Sequence, residues 1–228
     1  MTPHALPQAV LWDMDGTLID SEPYWITAEM ALMAEHGAEW THEDGLSMVG
    51  NPVDFTAVRM IERGAQLSVE EITSRLLAEV AVQVAQSVPW QEDARALLTQ
   101  VRDAGIPCAL VTMSYGPMTE AFLEAAPGIF DVVVTGDQVE RGKPDPEGYL
   151  SAAAQLGVDV TRCIAIEDSP AGTLAAYRSG AATIGVRRIA PIEPRPGLTR
   201  VRTLEGMSVA DLAEIVAGNP RDELGDAI

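Results

Sequence analysis

Four short stretches of this 228-residue chain hold residue types that can do chemistry together. Asp13-Met14-Asp15-Gly16-Thr17 places two carboxylates on either side of one residue. Thr112-Met113-Ser114 offers hydroxyls, Lys143-Pro144 an amine, and Glu167-Asp168-Ser169 two further carboxylates. Each has an ordinary reading by itself: a solvated turn, a helix start, a Gly-Lys-Pro turn, a helix N-terminus with Pro170 in its first turn. Their conjunction is what chance does not supply, because each follows an apolar run. Lys143 is also the only lysine among 15 basic residues, the rest being arginine. That is either a remnant of codon bias or a site that needs a compact point charge rather than a planar fork. The acidic company it would keep favours the second.

A set rich in carboxylates is costly to bury without a cation. Oxygen-only ligands in small number suit Mg2+, which keeps several waters and takes further oxygens from a substrate phosphate. The expected ligands are Asp13, Asp168 and the backbone carbonyl of Asp15, with Glu167 an outer or occasional inner ligand. Metal and Lys143 together would neutralise Asp13 and an incoming phosphoryl group. Asp13 is then the nucleophile that becomes an aspartyl phosphate. Asp15 protonates the leaving alkoxide and later deprotonates the hydrolytic water. Gly16 lets the backbone approach the phosphate, and Thr112 with the amides of Met113 and Ser114 holds phosphoryl oxygens.

These residues need a frame that brings them to one place. Ala9-Val10-Leu11-Trp12, Cys108-Ala109-Leu110-Val111, Val132-Val133-Val134, Cys163-Ile164-Ala165-Ile166 and Thr183-Ile184-Gly185-Val186 are continuous apolar runs. Such runs read as strands buried on both faces, the pattern of a parallel sheet. Helical stretches at 91–104, 147–156 and 171–179 lie between most of them, ending at Gly105, Gly157 and Gly180. Strand–helix alternation predicts an α/β fold with a doubly wound parallel sheet, whose strand ends converge on one edge.

The rhythm breaks after the first strand, where residues 20–87 read as helices opened by Pro23, Pro52 and the capping box Ser68-Val69-Glu70-Glu71. The expected division is therefore a core of residues 1–19 and 88–228 with a helical cap, 20–87, inserted between. Residues 190–200, with three prolines, read as an irregular loop, and the acidic tail from Asn219 as frayed.

With these motifs in order, the chain resembles the haloacid-dehalogenase-like hydrolase superfamily. The motifs read Asp13-Met14-Asp15-Gly16-Thr17-Leu18, Thr112, Lys143 within Arg141-Gly142-Lys143-Pro144-Asp145-Pro146, and Glu167-Asp168-Ser169-Pro170-Ala171-Gly172, and the resemblance spans residues 9–190. It implies a Rossmann-like core, a helical cap between the first two motifs, and the roles given above. An Asp at position 15 implies phosphate transfer rather than dehalogenation. Within the superfamily the chain looks like the branch of β-phosphoglucomutase and the sugar-phosphate phosphatases. The mutases carry a histidine where this chain has Trp25, and a basic residue in a cap loop that here reads Met48-Val49-Gly50-Asn51-Pro52. Both departures favour a phosphatase, and Asp20-Ser21-Glu22-Pro23-Tyr24-Trp25 looks like the hexose-phosphate phosphatases. Glu22, Trp25 and Asn51 are the expected substrate-reading residues, with Met48, Phe55 and Tyr115 as further candidates; cap core is the competing reading for Trp25 and Phe55, and packing for Trp40 and Trp90. A phosphomutase remains the alternative. A remote one is a non-enzymatic receiver module, which also uses an acidic magnesium cluster but places its acceptor Asp after a later strand.

Composition bounds the rest. A net charge of -19 weighs against nucleic acid and acidic membranes as partners, leaving a small phosphorylated metabolite. No segment reaches the roughly 18 apolar residues of a membrane span. Two cysteines beside apolar runs read as reduced thiols of a cytoplasmic protein. Monomer is the default assembly.

Overall fold

Apolar runs ending at polar or Gly-rich residues become strands here because helices cover both of their faces. The computed structural model describes residues 4–49, 51 and 53–225. The chain opens with β1 (Val10–Trp12), followed by α1 (Glu22–Glu35), α2 (His42–Leu46), α3 (Val53–Glu62) and α4 (Val69–Gln86). Then come α5 (Glu92–Asp103), β2 (Cys108–Val111), α6 (Pro117–Ala125), β3 (Val132–Val134), α7 (Glu147–Leu156), β4 (Ile164–Glu167) and α8 (Pro170–Ser179). β5 (Ala182–Val186), β6 (Thr199–Val201) and α9 (Val209–Val216) complete the order. Among the described residues the sheet has six strands, all parallel, in the order β3-β2-β1-β4-β5-β6. That is the doubly wound α/β architecture, with the reversal of strand order beside β1.

The chain divides into two compact units. One comprises residues 1–19, 90–115 and 127–228 and contains the whole sheet. Leu11, Ala109, Val111 and Ala165 of its strands pack with Tyr149, Ala152, Ala175 and Ala176 from α7 and α8. The alternate residues Val10, Trp12, Leu110, Ile164 and Ile166 are also fully buried, so neither face of these strands meets water. Register places the chemistry: Trp12 stands opposite Leu110 and Ile166, so Asp13, Val111 and Glu167 come level one residue on.

The other unit comprises residues 20–89 and 116–126. Here α4 packs along α1, α3 and α6. Its capping box forms as its sequence predicts, Ser68 Oγ accepting from the Glu71 amide and the Glu71 carboxylate accepting from the Ser68 amide. Glu29 of α1 is buried and accepts a hydrogen bond from Trp40 Nε1 at 3.0 Å.

Several elements differ from expectation. β6 begins within the segment 190–200 read as loop and ends one residue past it; its central Arg200 hides its charge in a salt bridge to Asp222 at 2.6 Å. The tail from Asn219 is not frayed as far as residue 225: the Arg200 amide donates to Arg221 O and the Glu223 amide to Arg200 O, both at 2.8 Å. Backbone pairing, not tail composition, decides this. α2, α6 and α9 are helices that apolar periodicity did not flag. Gly50 and Pro52 of the predicted cap loop lie outside the described residues.

Candidate active site

Seven side chains meet where β1, β2 and β4 end, those of Asp13, Asp15, Thr112, Ser114, Lys143, Glu167 and Asp168. Lys143, whose side chain is 8% exposed, donates from Nζ to Asp13 Oδ1 at 2.5 Å, to Glu167 Oε1 at 2.6 Å and to Val111 O at 2.9 Å. All three ammonium protons are thereby used. Asp13 and Glu167 are buried, Asp168 is half-buried, and one oxygen from each lies within 4.8 Å of the others. Asp168 accepts from Thr17 Oγ1 at 3.1 Å. Asp15 is half-buried, and its Oδ2 accepts from Ser114 Oγ at 2.6 Å, while Thr112 Oγ1 is buried and accepts from the Ser114 amide. The structure thus brings Asp13, Asp15, Gly16, Thr112, Ser114, Lys143, Glu167 and Asp168 to one sheet edge. Met113 is 40% exposed and its sulfur accepts from the Lys143 amide.

Glu167 is the most committed of these groups. Its Oε1 takes Lys143 Nζ and Tyr149 Oη; its Oε2 takes the amides of Asp168 and Ser169 and the hydroxyl of Ser169. With five donors in place it serves Lys143 more than it could serve a metal. Room for it depends on Gly172, where a Cβ would stand 1.7 Å from Glu167 Oε1. Gly16 plays the same part for Asp168: it has φ +85°, and a Cβ there would stand 2.1 Å from Asp168 Oδ2.

Burial and mutual repulsion set the titration of these carboxyls. Burial, and next the charge of Glu167, raises the Asp13 carboxyl to about 7 although Lys143 pulls it down. Burial, then Asp13 and Glu167, raises Asp168 to about 9. Burial alone would depress Lys143, but Asp13 and Glu167 outweigh it and lift the amine above its ordinary value. One ammonium cannot balance three close carboxylates, and a divalent cation among Asp13, Asp168 and the neighbouring backbone carbonyls would remove that deficit.

Tyr149, Arg188 and Asp93 escaped sequence reasoning, and Gly172 entered it only as the last residue of the fourth motif, without a role. Tyr149 is fully buried on α7, with Lys143 Nζ 5.3 Å from its ring centre. Its only sequence signal was a large aromatic six residues after the lysine. Arg188 donates to both oxygens of Asp93 and, through Nε, to Gly16 O at 3.3 Å. Burial would raise the Asp93 carboxyl, yet donors from Arg188, Thr203 and Leu204 hold it well below its ordinary value.

The predicted substrate-reading residues belong to the helical unit. Glu22 and Trp25 on α1 are half-buried, Asn51 is exposed and donates to Met48 O, and Phe55 is 46% exposed, which rules out a core role for it within that unit. Trp40 is buried, as a packing residue would be. Cys108 and Cys163 are buried free thiols, and no helix among the described residues is long and apolar enough to cross a membrane.

Comparison with known proteins gives a consistent picture. The profile of the haloacid dehalogenase-like hydrolases matches residues 10–186. Validoxylamine A 7'-phosphate phosphatase of Streptomyces hygroscopicus subsp. limoneus is 34% identical over 181 residues, 78% of this chain and 85% of that protein. Hexitol phosphatase A of Escherichia coli is 32% identical over 77% of this chain and 81% of its own length. Among solved structures, CbbY from Rhodobacter sphaeroides in complex with phosphate superposes with a TM-score of 0.77 at 26% identity, covering 91% of this chain and 99% of the other. A putative β-phosphoglucomutase from Thermotoga maritima does so at 0.72 and 27%, covering 92% and 96%.

Proposed function

The chain belongs to the haloacid dehalogenase-like hydrolases and is a phosphoric monoester hydrolase; we propose that it acts with magnesium on a small sugar phosphate, through a phosphoryl group carried on Asp13. The observation that carries this reading is the cluster of Asp13, Glu167 and Asp168 beside a single ammonium, which bonds Asp13 and Glu167, with the Asp13 and Asp168 carboxyls raised by burial and by the neighbouring carboxylates. Asp13, Asp168 and the carbonyl of Asp15 would hold the ion. When bound, magnesium supplies positive charge to the phosphoryl oxygens and to the Asp13 carboxylate.

The chain's own residues do the remainder. Asp13 Oδ attacks phosphorus, and the P–O bond to the leaving alcohol breaks. Lys143 faces Asp13 Oδ1 at 2.5 Å and lessens the repulsion between two anions. Asp15 gives its proton to the leaving oxygen and takes one back from the water that releases phosphate. Ser114 Oγ, 2.6 Å from Asp15 Oδ2, fixes that carboxyl between the two steps. Thr112 Oγ1, held by the Ser114 amide at 3.0 Å, and the amide of Met113 receive the phosphoryl oxygens; the Ser114 amide would have to leave Thr112 to join them. The names of the phosphatase relatives, which act on a validoxylamine phosphate and on hexitol phosphates, support a polyhydroxylated substrate. We assign the reading of its hydroxyls to Glu22, Trp25 and Asn51.

The likeness to β-phosphoglucomutases keeps a mutase as the second reading. It needs a cation for a second phosphate, and the cap loop Met48-Val49-Gly50-Asn51-Pro52 offers none. The receiver-like reading falls with membership of a hydrolase family. Phosphate release from hexose, hexitol, glycerol and nucleotide phosphates, with magnesium and with chelator, tests the proposal. Magnesium-dependent release from sugar phosphates that disappears in Asp13→Asn is expected. Isomerisation outrunning release would favour the mutase, and release by Asp13→Asn would remove the mechanism.

A further inference from the structure

The Arg188–Asp93 pair lies outside the cluster just described and has no part in its chemistry. Both side chains are largely buried, 15% and 12% exposed, so their charges have been taken out of water. A desolvated pair seldom stabilises more than apolar packing would. This one has an asymmetry that simple packing leaves unexplained. Two nitrogens of the guanidinium, Nη1 and Nη2, close on Asp93 at 2.9 and 2.6 Å, while the third, Nε, reaches across to Gly16 O at 3.3 Å. Asp93 is anchored in turn by Thr203 Oγ1 at 2.7 Å and the Leu204 amide at 2.9 Å.

Gly16 follows Asp15 directly, and its turn is held from other sides as well. Its amide donates to Ile19 O at 2.8 Å. Its Cα faces the Asp168 carboxylate too closely for any side chain, and Thr17 Oγ1 donates to that same carboxylate. A glycine at φ +85° has the loosest backbone in the loop and is the place where the Asp15 carbonyl and side chain would drift.

We propose that Arg188, braced by Asp93, is a positioning residue: by holding the Gly16 carbonyl it fixes the turn that aims Asp15 and its carbonyl beside Asp13 and Asp168. It touches no reacting atom. The proposal rests on the metal-dependent phosphatase reading and adds a residue pair to it.

The discriminating variant is Arg188→Lys. Lysine keeps a positive charge for Asp93, but its single nitrogen cannot stand at the three separate positions from which Nη1, Nη2 and Nε reach Asp93 and Gly16 O. Substrate-free protein would be titrated with Mn2+ by electron paramagnetic resonance, and kcat, KM and the unfolding temperature measured alongside. Arg188→Lys is expected to melt near the wild type, to bind Mn2+ roughly tenfold more weakly and to lose roughly tenfold in kcat, with KM unchanged, as a small displacement of the reacting geometry demands. Asp93→Asn, which frees the guanidinium, should move Mn2+ affinity and kcat in the same direction and serves should the lysine variant not fold. Wild-type Mn2+ affinity and kcat in either folded variant would make the pair merely structural and overturn the proposal. No Mn2+ binding by the wild type would overturn the metal-dependent reading, and the clamp with it.

Discussion

Replacing Gly172 by alanine sets two effects of opposite sign against one another. Gly172 is the third residue of α8, where alanine would be preferred to glycine by about 1 kcal/mol. The Cβ, however, would sit 1.7 Å from Glu167 Oε1, 2.0 Å from Cδ and 2.3 Å from Oε2. Ordinary contact begins near 3.4 Å, so the carboxylate must withdraw by about 1.7 Å. It is not free to do so, since five donors hold it. Losing two hydrogen bonds to this charged group at ~1.5–3 kcal/mol each outweighs the helical gain and leaves a net loss of ~2–5 kcal/mol. Lys143 moves with its partner, and a displacement of ~1 Å at the reacting centre costs about a hundredfold in rate. Thermal unfolding and magnesium-dependent phosphate release measure the two consequences separately. A Gly172→Ala protein as stable and as fast as the wild type would mean that the Glu167 carboxylate does not occupy this place, and the account of Lys143 would go with it.

Other outcomes follow from the same contacts. Lys143→Arg keeps the charge but cannot pack a planar fork among Asp13, Glu167 and Val111 O, so turnover should fall by ~100-fold or more; a fully active variant would show that charge alone suffices. Tyr149→Phe removes a buried donor to Glu167 and should lower stability by ~1.5–3 kcal/mol while sparing most of kcat; an unchanged melting temperature would deny the hydrogen bond. Glu29, on α1 of the helical unit, has its carboxyl raised by burial from 4.5 to about 7, against the opposing donor Trp40. Its folded form keeps a proton that the unfolded form has lost, so stability falls as pH rises from 4.5 through 7, by up to ~3 kcal/mol. Glu29→Gln should therefore stabilise the protein at pH 8 and change little at pH 4, and a pH-independent difference would contradict that assignment.

Legibility in the sequence followed burial. The central strands could be read because continuous apolar runs reflect two covered faces. Thr199-Arg200-Val201 could not, since its middle residue is charged and becomes acceptable through partners remote in sequence, the Ile192 carbonyl and Asp222, the latter more than twenty residues away. α2 is five residues of mostly polar sequence and has no apolar period to detect. α9 did carry a readable start, the capping box of Ser208 and Asp211, behind a stretch otherwise poor in signals. In the site, Asp13, Lys143, Glu167 and Asp168 were visible because acids and a lone lysine stand out after strands. The residues that hold them were not: Tyr149, Gly172 and the Arg188–Asp93 pair have ordinary identities, and only tertiary geometry gives them work.

The segment 221–223, hydrogen-bonded along β6, has a consequence beyond its local bonds. β6 ends the sheet, and an end strand offers open amides and carbonyls to any passing extended chain. Here Arg200 finds its backbone partners in Arg221 and Glu223, and the added segment brings the acidic Asp222 and Glu223 to that side. Residues 221–223 thus cover that side of β6, and a chain cut after Gly218 would be expected to keep its catalytic residues while losing solubility on storage.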